Sequence, residues 1–101
     1  MIRHIVMFRY REFAAGHTRA ENIAQAKAML EALPGVVPSL RESHVYLNGE
    51  AANPENYDLV LVADFDDWQG LQDYIVHPAH QAVGVFQRQV RESRACVDFE
   101  L

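Results

Sequence analysis

Cysteine is almost missing from this chain: Cys96 stands alone among 101 residues. A lone cysteine excludes an internal disulfide and fits a reducing, cytoplasmic compartment. No histidine adjoins it in a strand-like stretch, so it reads as a small packed hydrophobe. Positive charge is also scarce. Nine Lys and Arg stand against fourteen Asp and Glu, a formal net charge of −5. Without a basic run or a basic-aromatic ladder, a nucleic-acid partner is not expected. No apolar run approaches the roughly twenty residues needed to cross a bilayer as a helix, so no membrane role is expected either. The first residues enter an alternating strand pattern with no leader-like stretch before it. Internal repeats, low-complexity segments, a phosphate loop and a serine triad are all absent.

What is present is apolar surface. Half of the residues are hydrophobic, enough for one domain over residues 1–101 with one core. Residues Ile2 to Tyr10 alternate, with Ile2, His4, Val6, Phe8 and Tyr10 on one face. Arg3, Ile5, Met7 and Arg9 form the other face, so the strand carries apolar residues on both sides. Gly16 to Leu33 reads as a helix, with a stripe through Ala20, Ile23, Ala24, Ala26, Lys27, Leu30 and Leu33. Thr18 and Glu21 make a capping box at its start, and Pro34-Gly35 stops it. A second strand is expected over Val36 to Asn48, then a polar loop through Asn53-Pro54-Glu55-Asn56. Tyr57 to Phe65 is the clearest strand, with Leu59, Leu61, Ala63 and Phe65 facing one way and Val60 and Val62 the other. Asp66 or Asp67 caps a short helix through Leu71, Tyr74 and Ile75. A further helix from Pro78 presents Ala82, Val83, Phe86 and Val90, and Arg94 to Leu101 forms a last strand.

This order is β-α-β-β-α-β, the split pattern of a ferredoxin-like plait of class α+β: a four-stranded antiparallel sheet with helices on one face. Helices cover only one side of such a sheet. Ile5, Met7, Val60 and Val62 are left on the open side, an apolar patch suited to a partner. Two such sheets packed face to face remove it from water, so the expected partner is a second copy of the chain.

The run from Tyr74 to His80 concentrates side chains capable of proton transfer. Tyr74 and His77 lie three apart on one helix face. Pro78 breaks that helix and favours the start of the next, which can turn His80 toward Tyr74. An imidazole titrates near neutrality and a phenol can give or accept a proton, so the pair suits acid–base work on a carbonyl compound. The structural alternative is that the run only shapes the helix break, with His77 as a cap and His80 bonded to a carbonyl. For His4, a satisfied core histidine is the commoner outcome. His17 and His44 read as surface residues, and Asp64, Asp66 and Asp67 as strand-end and capping charges. His77 and His80 could share a metal ion at i and i+3, with His4 as a third ligand, but Pro78 disrupts that spacing. No metal and no organic cofactor is expected.

With Ile2-Arg3-His4-Ile5-Val6-Met7-Phe8, Leu33-Pro34-Gly35, Tyr57 through Phe65, Tyr74 through His80, Glu92-Ser93-Arg94 and Val97-Asp98-Phe99, the chain resembles the stress-responsive A/B barrel (Dabb) family of the dimeric α/β-barrel superfamily. The resemblance covers nearly the whole sequence and implies a homodimer whose two sheets form a barrel. Around Asp73 to His80 the chain resembles a plant branch of polyketide cyclases, which close an aromatic ring by cofactor-free aldol condensation. The resemblance implies His80 as base, Tyr74 as its partner and His4 as a further pocket histidine. The sequence departs from that branch at Leu59, where the branch has a third pocket histidine, and at Ala26, where it has a bulky aromatic.

The resulting expectation is a small-molecule cavity between sheet and helices, lined by His4, Val6, Phe8, Leu61, Ala63, Tyr74, His80, Val83 and Phe86. His80 removes a proton alpha to a carbonyl and Tyr74 holds the enolate oxygen. Resemblance to neighbouring superfamily members keeps cofactor-free monooxygenase and lactone isomerase chemistry open. The alternative of another class is a non-catalytic dimer that responds to stress or binds a metabolite. An open cavity reaching both His80 and Tyr74 favours the first class, and a filled interior the second.

Overall fold

The computed structural model describes residues 1–101. In chain order the elements are β1 (Ile2–Tyr10), β2 (Phe13–Ala14), β3 (His17–Thr18), α1 (Arg19–Glu31), β4 (Glu42–Leu47), β5 (Leu59–Phe65), α2 (Trp68–Val76), α3 (Pro78–Val90) and β6 (Arg91–Glu100). Strands β4, β5, β1 and β6 lie side by side in that order, each antiparallel to its neighbour. This is the expected plait with the second helix split in two, plus one small hairpin.

That hairpin, β2–β3, was not expected, and it delays α1 from Gly16 to Arg19. Ala15 and Gly16 both take positive φ, 52° and 80°, as a tight two-residue hairpin turn requires. Ala15 gives no hint of that conformation in the sequence. The buried Asn22 amide then ties the hairpin to α1, donating to the Ala14 carbonyl at 3.0 Å and the His17 carbonyl at 3.4 Å. The Thr18–Glu21 capping box forms in both directions.

The second strand is shorter than expected. It begins at Glu42, because residues 34–41 are spent in turns: the Val37 N–H donates to the Leu33 carbonyl and the Leu40 N–H to the Val37 carbonyl. Pro38 has no N–H to offer a ladder. Val37 and Leu40 are nonetheless buried within the core. At the other end the last strand starts at Arg91, three residues early. Its register continues past Arg94 to pair Ser93 with Arg9.

The core lies between the sheet and the helices. It holds Ile2, Val6, Phe8 and Tyr10 of β1, Leu59, Leu61, Ala63 and Phe65 of β5, Ala26 and Leu30 of α1, Leu71 and Tyr74 of α2, and Val83 and Val90 of α3. On α3 the buried stripe is Val83, Gln87 and Val90. Ala82 is exposed and Phe86 only half-buried, so the helix is rotated from the expected face and brings a glutamine inward.

No helix covers the opposite side of the sheet. Ile5, Val60 and Val62 are half-buried there, while Met7, Tyr46, Val97 and Phe99 are exposed. Ion pairs frame this apolar face. Arg3 donates from Nε and Nη2 to the two oxygens of Asp64 at 2.8 and 3.0 Å, and Arg9 reaches Glu92 at 3.2 Å. Asp64 is therefore a buried, paired carboxylate, not a plain strand-end charge. The Arg3 guanidinium holds it below the usual carboxylate range. No helix is long and apolar enough to cross a membrane.

Candidate functional site

The break between α2 and α3 is built from side chains close to it in sequence. Asp67 caps α2 by accepting from the Gly70 N–H at 2.8 Å, while Asp66 pairs with Arg41 instead. His77 ends α2 and caps α3, with Nδ1 accepting from the Ala79 N–H at 3.0 Å. A capping imidazole whose Nδ1 is engaged in this way does not reach a cavity with that nitrogen. Pro78 sits at the first position of α3, where its missing N–H costs nothing.

One turn later, His80 folds back. Its Nδ1 lies 3.1 Å from the Ile75 carbonyl. A carbonyl only accepts, so Nδ1 carries the proton and Nε2 is the bare nitrogen. Burial pushes the His80 pKa down, although the bond to Ile75 opposes the shift; His4, Arg94 and His77 lower it further. The ring is thus neutral at pH 7. The Tyr74 ring lies beside it, centroids 4.3 Å apart, and also packs on Phe65 at 5.0 Å. Tyr74 is only 1% exposed, and burial pushes its phenol well above the usual range. It stays protonated at any physiological pH.

His4 approaches from the sheet, its ring 6.2 Å from that of Tyr74 and edge-on. Register puts Asp98 of β6 directly across from it. The Asp98 Oδ1 accepts from the His4 Nδ1–H at 2.5 Å, which fixes the orientation of the ring. Asp98 gave no sequence signal, because only the β1–β6 register brings it to His4 across 94 positions. Cys96 joins them, its sulfur 3.5 Å from His4 Nδ1 and 3.6 Å from Asp98 Oδ1. This corrects the expectation of a packed hydrophobe: Cys96 is exposed, because the edge strand β6 runs past the helices. Partial desolvation of the sulfur against its neighbours nonetheless raises its pKa, and Asp98 adds to the shift.

His4, Cys96 and Asp98 each offer one ligand atom to a common space, a donor set that zinc accepts. The 2.5 Å between the nitrogen and oxygen is a hydrogen-bond distance. Two ligands on one tetrahedral zinc stand roughly 3.3 Å apart. The trio therefore has the geometry of an oriented imidazole, not of a metal site.

Between α3 and the sheet lies a cavity of about 260 Å³. His4, Val6, Phe8, Leu61, Tyr74, His80 and Val83 line it. Ala63 and Phe86, expected among them, do not. Ala63 is sealed within the sheet core, and Phe86 points to the far side of α3, toward Met29 and Asn22. Leu59 and Ala26 are buried away from the cavity as well.

The cavity also gains residues that the sequence did not single out: Leu30, Gly84, Gln87, Arg88, Arg91 and Arg94. From His80, the positions 84 and 87 follow at i+4 and i+7, one helical face, and Arg91 comes directly after the helix ends. That spacing was visible and could have found them. Gln87 is 3% exposed, and neither its Oε1 nor its Nε2 has a hydrogen-bond partner. The Tyr10 hydroxyl, buried and likewise without a bond of full geometry, faces the Gln87 amide. Burial pushes the Tyr10 phenol up and the Gln87 amide offsets a part.

The same arrangement of sheet and helices occurs in other proteins. A dimeric protein of unknown function with a ferredoxin-like fold from Bacteroides fragilis is 33% identical, with 99% of this chain and 95% of that one covered and a TM-score of 0.81. A dimeric ferredoxin-like protein of unknown function from Thermobifida fusca is 31% identical, with 99% and 90% covered and a TM-score of 0.83. The hydroxynitrile lyase of Passiflora edulis shares the fold at 16% identity, with 99% and 92% covered and a TM-score of 0.80. The model of the stress responsive A/B barrel domain matches residues 2–101, and with that match over the whole plait the chain belongs to the stress responsive A/B barrel domain family.

Proposed function

We propose that this protein is a homodimeric, cofactor-free acid–base catalyst that removes a proton alpha to the carbonyl of a small molecule held between α3 and the sheet. The observation that carries this reading is the tautomer of His80. Its Nδ1–H is committed to the Ile75 carbonyl, which leaves an unprotonated Nε2 on a ring that lines the same cavity as Tyr74. A general base needs this state near neutrality. The carbon–hydrogen bond breaks toward Nε2, and its electron pair moves into the carbonyl to form an enolate. The Tyr74 hydroxyl, kept protonated by burial, donates to the enolate oxygen. His4, oriented by Asp98, presents a second imidazole to the same cavity. The enolate then attacks a second carbonyl, as in an aldol closure, or is reprotonated. A hydroxynitrile lyase on the same fold, in Passiflora edulis, is in keeping with such chemistry in this architecture.

The dimer belongs to this reading because the apolar side of the sheet is uncovered. Met7, Tyr46 and Val60 line a groove of about 580 Å³ there. A second copy docked on this face by a two-fold axis would bury it, and the similar proteins from Bacteroides fragilis and Thermobifida fusca are dimeric.

The test is deuterium incorporation at the alpha carbons of phenylacetone, a neutral enolisable ketone, followed by NMR in D₂O. The native protein should accelerate it over the buffer rate. His80→Ala should fold normally and lose ~10²–10⁴ of the acceleration. No acceleration by the native protein, or full acceleration by His80→Ala, sinks the proposal in favour of a non-catalytic binding dimer.

A further inference from the structure

Three arginines gather at the mouth of the cavity in a chain of net charge −5. Arg88 extends from α3, Arg91 from the α3–β6 junction and Arg94 from β6. Arg3, Arg9 and Arg41 are each paired with a carboxylate. Arg88, Arg91 and Arg94 have none, and no acidic residue lines this cavity. Gly84 makes room for the arrangement. A Cβ there would stand 3.1 Å from the Arg88 Nη1, so the missing side chain lets the guanidinium lie against the helix. Deeper in, Gln87 is 3% exposed; its amide lies against the Tyr10 hydroxyl, but none of these polar atoms has a partner at full hydrogen-bond geometry. The Tyr10 hydroxyl can serve only one of the two amide atoms, and the other, left unbonded in the interior, costs stability unless a ligand meets it.

We propose that the cavity takes an anionic carbonyl compound, a small keto acid, with its carboxylate on Arg88, Arg91 and Arg94 and its polar centre on the Gln87 amide. This rests on the carbonyl chemistry proposed above and names the substrate class for it. Guanidinium forks match a carboxylate with two parallel hydrogen bonds, which a neutral ester cannot offer. The floor of the cavity, Val6, Phe8, Leu61 and Val83, suits an apolar or aromatic body. A carboxylate at the arginine end directs the other end of the ligand toward Tyr74 and His80. The volume, about 260 Å³, is below the usual range of roughly 300–1,000 Å³ for drug-sized ligands, so the molecule is small.

Phenylpyruvate and its methyl ester are the probes, measured by calorimetry at low salt with the native protein. The acid should bind at least about tenfold more tightly than the ester, since hydrogen bonds between charged groups are strong. Added sodium chloride should narrow the gap. The double variant Arg88→Gln/Arg94→Gln should weaken acid binding about tenfold or more and leave the ester unchanged. Gln87→Leu, checked for folding by thermal melt, should weaken both. The inference is overturned if the ester binds as well as the acid, if neither binds, or if the double variant binds the acid like the native protein. The two proposals fail separately. Acid binding through the arginines without His80-dependent exchange leaves the anion site standing and removes the catalyst. His80-dependent exchange of phenylacetone without a preference for the acid does the reverse.

Discussion

Removing one oxygen atom from Tyr74 separates its structural role from its chemical one. Its ring is packed between Phe65, 5.0 Å away, and His80, 4.3 Å away, and only desolvation shifts its phenol. The hydroxyl therefore does nothing for the fold that a hydrogen could not do. Tyr74→Phe keeps every ring contact, and stability should change by no more than about 0.5 kcal/mol. Tyr74→Ala should cost ~3–5 kcal/mol, a large part of the ~5–15 kcal/mol that holds a domain together. In the transition state the same hydroxyl faces a developing enolate. A hydrogen bond to a charged oxygen is worth ~1.5–3 kcal/mol, or about 10- to 150-fold in rate. Urea denaturation measures the first quantity and the rate of alpha-proton exchange the second. Tyr74→Phe should thus be as stable as the native protein and at least tenfold slower. If it unfolds ~2 kcal/mol more easily, the hydroxyl is bonded within the fold and its catalytic assignment fails. If it is stable and equally fast, the oxyanion role is refuted.

Two further outcomes follow from the same geometry. Val60 is half-buried on the uncovered sheet face, so Val60→Asp leaves a solvated carboxylate in the single chain but an unpaired, buried one in a face-to-face dimer, at a cost of several kcal/mol; light scattering should give a monomer with an unchanged far-UV spectrum, and a persistent dimer would place the interface elsewhere. Exchange should depend on pH through His80. Its pKa is lowered by burial from about 6.5, and its neutral form is the base, so the rate should stay level through neutrality and fall only below pH 6.5; a fall beginning above pH 6.5 would point to a different base.

The sequence alone determined the order of the main elements, though not the β2–β3 hairpin, because the strand and helix periodicities of β1, β5 and α3 and the capping box of α1 are local signals. It also determined which side of the sheet stays apolar and unpartnered, since alternation in β1 and β5 assigns Ile5, Met7, Val60 and Val62 to one face. The Tyr74–His80 pair was legible for the same reason: both residues flank a proline-marked helix break six positions wide, within which chain geometry leaves little freedom. The tertiary structure decided everything that depends on distant partners. The register between β1 and β6 put Asp98 and Cys96 beside His4, and a one-residue slip would have turned both away from it. The rotation of α3 against the sheet turned Gln87 inward and Phe86 aside, because packing with α1 and the hairpin, not the helix's own apolar pattern, sets that angle. The basic mouth of the cavity arises where the end of α3 meets the edge strand β6. Three arginines spread over seven positions look like solvated surface in sequence, and only the turn from helix to strand aims them into one space.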